Sequence, residues 1–229
     1  MLVAIVSLTN LVKSMISEET NYRIWKSRVI ALEMVADRGY DTSNVEKYDD
    51  FAQFSEYYGD MNEDDIRASM QLVVQRKGKS LMLEWRKTCP VSVVSEIEST
   101  MREGKIKDCI LIFNATITYR AASVIKSLRV NGVIIETFSE AELQFNVTKN
   151  EYVPKHIICS QETKNKVMKD YNITNKDLPT ISINDPPIKY LGAKRGNLIK
   201  IVRKSDTTPN VKIDDQTKVL HSITYELVV

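Results

Sequence analysis

The sequence predicts an α/β chain, α+β overall, made of two domains. Three observations lead there. From residue 91 to 138 the pattern alternates helix and strand. The run Asp108–Asn114 is apolar without a break between its polar ends, as expected of a strand covered on both faces, and Val133–Phe138 reads as another buried strand. The texture then changes near residues 143–150, which divides an N-terminal α/β domain (1–145) from a small mixed α/β C-terminal domain (146–229). A length of 229 residues fits this count and suffices for a core without disulfides or metals.

Taken in order, Met1–Val12 is apolar but lacks the basic start and small-residue cleavage site of a signal peptide, and it is too short to span a bilayer. It reads as a short helix or strand that packs locally. Glu18–Arg38 reads as an amphipathic helix with Trp25, Val29, Leu32 and Ala36 on one side and Gly39 as its stop. A second helix is expected over Ser43–Tyr58, with Val45, Tyr48, Phe51, Ala52 and Ser55 on one side, and an acidic loop over Asn62–Ser69. Met70–Gln75 and Ser80–Arg86 read as strands joined by the polar turn Arg76–Lys79.

Helices at Val91–Glu103 and Thr118–Leu128 then alternate with the two apolar strands, the second entered through Asn131-Gly132. This order predicts a sheet with helices packed on it and right-handed crossovers. In the C-terminal part Ser160 caps a helix Gln161–Tyr171. Asp185-Pro186-Pro187 opens a short helix that Gly192 ends. Leu198–Arg203 and Ile223–Val229 read as strands.

The near-balance of 32 Lys+Arg and 30 Asp+Glu hides an asymmetry: residues 1–149 are net −2 and residues 150–229 net +4. The basic excess concentrates in Lys189, Lys194, Arg195, Lys200, Arg203 and Lys204, a run with no acid among them. Such a cluster suits a phosphate backbone or an acidic protein surface, or is a solvated face. No aromatic ladder interleaves it, so single-strand stacking is unsupported. Cys89, Cys109 and Cys159 form no C-x-x-C pair and read as buried thiols of a reducing compartment. The sequons at Asn114, Asn146 and Asn172 then read as chance matches.

Enzyme signatures are nearly absent. Phosphate-binding loops, nucleophile elbows and H-E-x-x-H motifs are missing, and His156 and His221 are too far apart for zinc-ligand spacing. One arrangement matches a metal-dependent nuclease pattern, with Asp65 and Glu84 as Mg²⁺ ligands. Arg86 stands where that chemistry wants a lysine, and arginine keeps its proton. Solvent-exposed ion pairs on a strand are the alternative.

Four blocks in the C-terminal part carry a resemblance. They are Glu151-Tyr152-Val153-Pro154-Lys155-His156, then Leu178-Pro179-Thr180-Ile181 with Asp185-Pro186, then Tyr190-Leu191-Gly192-Ala193-Lys194-Arg195-Gly196, and Ile199–Ser205. Their order and spacing resemble the C-terminal domain of the fifth subunit shared by the eukaryotic nuclear RNA polymerases. A small archaeal RNA polymerase subunit is built on the same domain. Trp25–Tyr40 and Glu136–Ala141 are similar to the start and end of that family's eukaryotic N-terminal jaw domain, whose fold is like that of restriction nucleases.

The resemblance implies a non-catalytic subunit of a multisubunit DNA-directed RNA polymerase, with no cofactor or metal of its own, no membrane and no small-molecule substrate. It implies docking on the largest subunit through the C-terminal domain, on residues matching Pro154, His156, Asp185, Pro186, Gly192, Lys194, Arg195, Gly196 and Arg203. It also implies a jaw that helps hold downstream double-stranded DNA through the loop Thr118, Tyr119, Arg120 and Ala121, where the family usually has T-P-S-A. The free N–H groups of that loop are expected to help meet a phosphate.

The chain departs from the family in an extension over about 1–17, an insertion over about Thr208–Ser222, and Glu226 where the family has arginine. These fit a diverged lineage, cellular or encoded by a large DNA virus. Transcription would be in the nucleus in the first case, and the protein in a cytoplasmic viral factory or virion in the second. The rival readings are the Mg²⁺-dependent nuclease and a free-standing basic adaptor for DNA or a regulator.

Overall fold

The computed structural model describes residues 2–48, 50–59, 61–204, 211–213, 216–218 and 221–229. The chain divides into two compact units, Met1–Phe145 and Asn146–Val229.

The first unit is built on a four-stranded sheet in the order β1-β2-β3-β4. Its strands are β1 (Leu72–Arg76), β2 (Lys79–Arg86), β3 (Asp108–Phe113) and β4 (Ile134–Ser139). The first two form an antiparallel hairpin; β2, β3 and β4 run parallel. The hairpin turns through Lys77 and Gly78, both at positive φ (47° and 77°), the geometry that matches strand twist.

Helices α4 (Val91–Glu103) and α5 (Tyr119–Val130) make the crossovers. They pack Val94, Ile97, Met101, Ala121 and Leu128 against Met82, Cys109, Leu111, Phe113 and Ile135 of the sheet. The residues between these on each strand, Leu83, Trp85, Ile110 and Ile112, are fully buried as well. On that side the Trp85 indole donates to the Ser27 hydroxyl of α1 (Leu2–Asp37) at 3.1 Å. Covering on both faces is why β3 reads as an unbroken apolar run.

Several sequence expectations need correction in this unit. The helix expected from Glu18 is continuous from Leu2, so Leu2–Val12 is no separate element; Met1 and the side chains of residues 2–17 lie outside the description. The buried side of α1 includes Ile24, Ala31, Met34 and Val35 as well as Trp25 and Leu32, whereas Ala36 is exposed. The second helix is only α2 (Phe51–Tyr58), because Asp50 caps it by accepting from the Gln53 amide at 2.9 Å. Upstream, Asp41 holds Ser43 in a side-chain turn, and Tyr48 is buried without being helical.

The acidic segment expected as a loop is helix α3 (Glu63–Ser69). Asn62 caps it by accepting from the amides of Asp64 and Asp65, and its first-turn acids oppose the helix dipole. Ile66 and Arg67 are its buried side.

The second unit has a four-stranded sheet in the order β5-β7-β10-β6. Its strands are β5 (Lys155–Ile158), β6 (Thr180–Ile181), β7 (Leu198–Lys204) and β10 (His221–Val228). β7 pairs antiparallel with both neighbours, and β10 pairs parallel with β6. Helices α6 (Gln161–Asp170) and α7 (Pro186–Leu191) pack on it. Val167 lies against Leu178 and Leu198, and Ile188 against Ile199, Ile201 and Val228.

Between Lys204 and His221, β8 (Val211–Ile213) and β9 (Gln216–Lys218) form an antiparallel pair. The remainder of the inferred insertion, 208–210, 214–215 and 219–220, lies outside the described residues. At its end, His221 and Ser222 pair with Lys204 and Arg203 within the sheet.

Candidate functional site

The loop matched to the DNA-facing motif is the start of α5. Thr118 caps the helix, its Oγ1 accepting from the Ala121 amide at 3.2 Å. Tyr119 is 90% exposed and Arg120 is exposed beside it. Ala121 departs from the expectation. Its side chain is fully buried in the core under α5 and its N–H is already bound, so neither faces solvent. What remains outward is a phenol, a guanidinium and the first-turn amides of Tyr119 and Arg120, which have no intrahelical acceptor.

In the second unit the residues matched to a docking surface fall into two groups. Asp185, Pro186, Gly192, Lys194, Arg195 and Gly196 surround α7 and the turn after it. Asp185 occupies the cap position of α7 without a side-chain cap bond, and Pro186 opens the helix. Gly192 ends it at φ 67°, a left-handed conformation that glycine adopts without strain. The turn is then pinned: the Lys194 amide donates to Asn197 Oδ1 at 2.7 Å, and the Gly196 amide to the Val228 carbonyl at 2.9 Å. Lys194, Arg195 and Gly196 are left exposed.

Pro154 and Arg203 lie at the other end of the sheet, because Lys155 pairs with Val202. His156 sits one residue further in, opposite Ile201. Its Nδ1 is 2.7 Å from the Pro154 carbonyl, which only accepts, so the ring proton is on Nδ1. The basic run is therefore not one cluster. At about 3.3 Å per strand residue, the five steps from Leu198 to Arg203 separate Arg203 from the turn by roughly 16 Å.

The pair proposed as metal ligands does not form a site. Asp65 is exposed on α3 and takes the Asn62 amide, whereas Glu84 is 2% exposed within β2. Among the described residues no three of His, Cys, Asp and Glu are grouped to hold a metal. Nor is Glu84 in a solvent-exposed ion pair, as the alternative reading had it. It is buried on the α4/α5 side of the sheet, 2.8 Å from Arg86 Nε, while Arg86 also reaches Glu96 at 2.7 Å. The strand's apolar pattern hides this residue, since alternation says nothing when both faces are covered.

Burial raises the Glu84 pKa above the usual carboxylate value by more than Arg86 lowers it. The folded chain therefore keeps this proton to higher pH than the unfolded chain, and stability falls as pH rises through the interval between the two pKa values. Glu84→Gln removes that dependence. Its stability relative to the parent should climb from pH 4.5 upward and then level off, as read from urea midpoints across pH. A relative stability that falls with pH would contradict the assignment.

The profile described as RNA polymerase Rpb5, N-terminal domain, matches residues 18–110. That described as RNA polymerase Rpb5, C-terminal domain, matches residues 145–213. The chain belongs to the Rpb5 family of RNA polymerase subunits. Two curated relatives are the subunit RPABC1 of DNA-directed RNA polymerases I, II and III from Caenorhabditis briggsae and from Caenorhabditis elegans. Each is 28% identical over 197 residues, covering 83% of this chain and 93% of the worm protein. As an Rpb5-family member the chain is a non-catalytic subunit of a multisubunit DNA-directed RNA polymerase. The motif blocks around α7 and β7 fall within the C-terminal match, and the first 17 residues lie outside the N-terminal one.

Proposed function

We propose that this subunit docks on the largest polymerase subunit through its C-terminal unit and helps hold downstream duplex DNA through the first turn of α5. What supports the docking half is the exposed, rigidly pinned turn Lys194–Gly196 inside a family-matched segment. The exposed Arg203 at the far end of β7 supports a second contact. On this reading the N-terminal unit is the jaw and the C-terminal unit the assembly domain, working in the nucleus as part of a transcribing enzyme.

The DNA half rests on Tyr119 and Arg120, outward at a helix start in a unit of net negative sequence. Bulk charge does not draw a duplex to such a unit, so the grip depends on a few placed contacts. A guanidinium and free helix amides suit phosphate oxygens, and contacts of that kind position DNA without reading its sequence. Arg120→Ala should speed dissociation of assembled elongation complexes equally on different templates. It should also flatten the log–log salt dependence by about 0.9, the value of one phosphate contact. Unchanged salt slopes, or a defect confined to particular sequences, would remove Arg120 from the backbone contacts.

A further inference from the structure

We propose that the cleft between α1 and the segment 42–48 is a docking site for an acidic–apolar segment of a partner protein, seating an apolar side chain beside a carboxylate. This is independent of the α5 and α7 surfaces and holds whichever subunit the C-terminal unit contacts. The cleft has a volume of about 250 Å³. That is below the roughly 300–1,000 Å³ of small-molecule sites and suits one or two side chains rather than a metabolite. Trp25, Val29, Leu32 and Ala36 of α1 give it an apolar wall.

The electrostatics select the sign of the occupant. Arg28 lines the cleft and is only 6% exposed, yet among the described residues it makes no ion pair. Two of its guanidinium nitrogens go to main-chain carbonyls, those of Met70 (3.3 Å) and Glu46 (3.1 Å). Its Nε is buried with no acceptor, and the ring of Tyr48 lies under the guanidinium at 5.7 Å. A buried cation without a carboxylate is costly, and buried polar groups ordinarily have partners. Burial pulls the Arg28 pKa down by more than the neighbouring Tyr58, Tyr48 and Glu46 raise it.

Lys47 adds a second positive charge at the cleft against the single carboxylate of Glu33, which leaves its lining net positive. An arriving carboxylate would meet Arg28 and Lys47 while its apolar neighbour covers Trp25 and Leu32. That combination of a desolvated cation and an apolar wall is how partner surfaces gain both affinity and selectivity.

The test is fluorescence polarisation with the full-length chain and a labelled ten-residue peptide, Asp-Asp-Phe-Asp-Leu repeated twice. Saturable binding is expected, weakened at least tenfold when every aspartate becomes asparagine. Ala36→Glu, which puts a negative charge at an exposed edge of the cleft, should weaken it by a similar factor, and Arg28→Met should abolish it. Should Arg28→Met not fold, Ala36→Glu and the asparagine peptide still decide. Equal binding of the asparagine peptide, no effect of Ala36→Glu, or no saturation by about 1 mM would overturn the proposal. So would displacement of the peptide by a short DNA duplex, which would make the cleft a nucleic-acid contact.

Discussion

Arg67→Met and Glu140→Gln should each destabilise the chain by about 3–5 kcal/mol, the usual cost of stripping one partner from a buried ion pair. Both side chains are 1% exposed, with Arg67 Nε 2.6 Å from Glu140 Oε1 and Nη2 3.2 Å from Oε2. The remaining nitrogen, Nη1, donates to the Glu63 carbonyl at 3.2 Å, so the guanidinium is satisfied on every side that faces protein. This two-point pair ties α3 to the 3₁₀ turn of residues 140–143 across 73 positions of sequence. Removing Glu140's charge leaves a buried cation; removing Arg67 leaves a buried anion. The double variant Arg67→Met/Glu140→Leu should therefore lose less than the sum of the singles. Equilibrium urea unfolding reads all three. Single losses under about 1 kcal/mol would place the pair with weak surface bridges instead.

Trp85→Ala should cost about 3–5 kcal/mol, because the indole is fully buried between β2 and α1 and its loss leaves a cavity as well as lost transfer energy. Its Nε1 also donates to Ser27 Oγ, which in turn donates to the Ile24 carbonyl at 2.7 Å. Trp85→Phe keeps most of the ring volume and leaves the serine hydroxyl still bonded to Ile24. It should cost well under half as much. Equal losses for the two variants would mean that the hydrogen bond, not the packing, carries the residue's contribution.

Local signals in the sequence located most elements and missed those set by long-range contacts. Val91–Glu103 was legible because its apolar spacing and the following Gly104 agree. The strand β3 was legible because an apolar run of that length between polar ends has few other uses. Helix α3 was hidden by its acids, which read as a loop until they are seen as first-turn residues behind an Asn62 cap. The stop before α2 depends on a hydrogen bond from Gln53 to Asp50 that the run Val45–Ser55 does not reveal. Of the candidate site, motif order alone names Tyr119, Arg120 and the turn at Lys194–Gly196, and the fold leaves each of them exposed. Ala121 is turned inward by the helix start, which motif order does not reveal. The split of the basic run follows from β7 being a strand, which spreads Arg195 and Arg203 apart where a helix would have gathered them. Arg28, Arg67 and Glu140 could not be placed, since their partners are distant in sequence, and Glu84 pairs with nearby Arg86 but is buried by elements that the strand pattern does not reveal.

Assembly of this chain into a polymerase through its C-terminal unit is the proposal on which the docking and DNA roles both depend. Its most direct test is native capture of the tagged full-length chain from the cells that make it, with the co-purifying proteins identified by mass. The claim predicts near-equimolar recovery of the very large polymerase subunits. It also predicts strongly reduced recovery for Arg195→Glu/Arg203→Glu, two exposed positions whose reversal leaves the fold intact by circular dichroism. Capture of the chain without large polymerase subunits, or undiminished recovery by the charge-reversed variant, would contradict it.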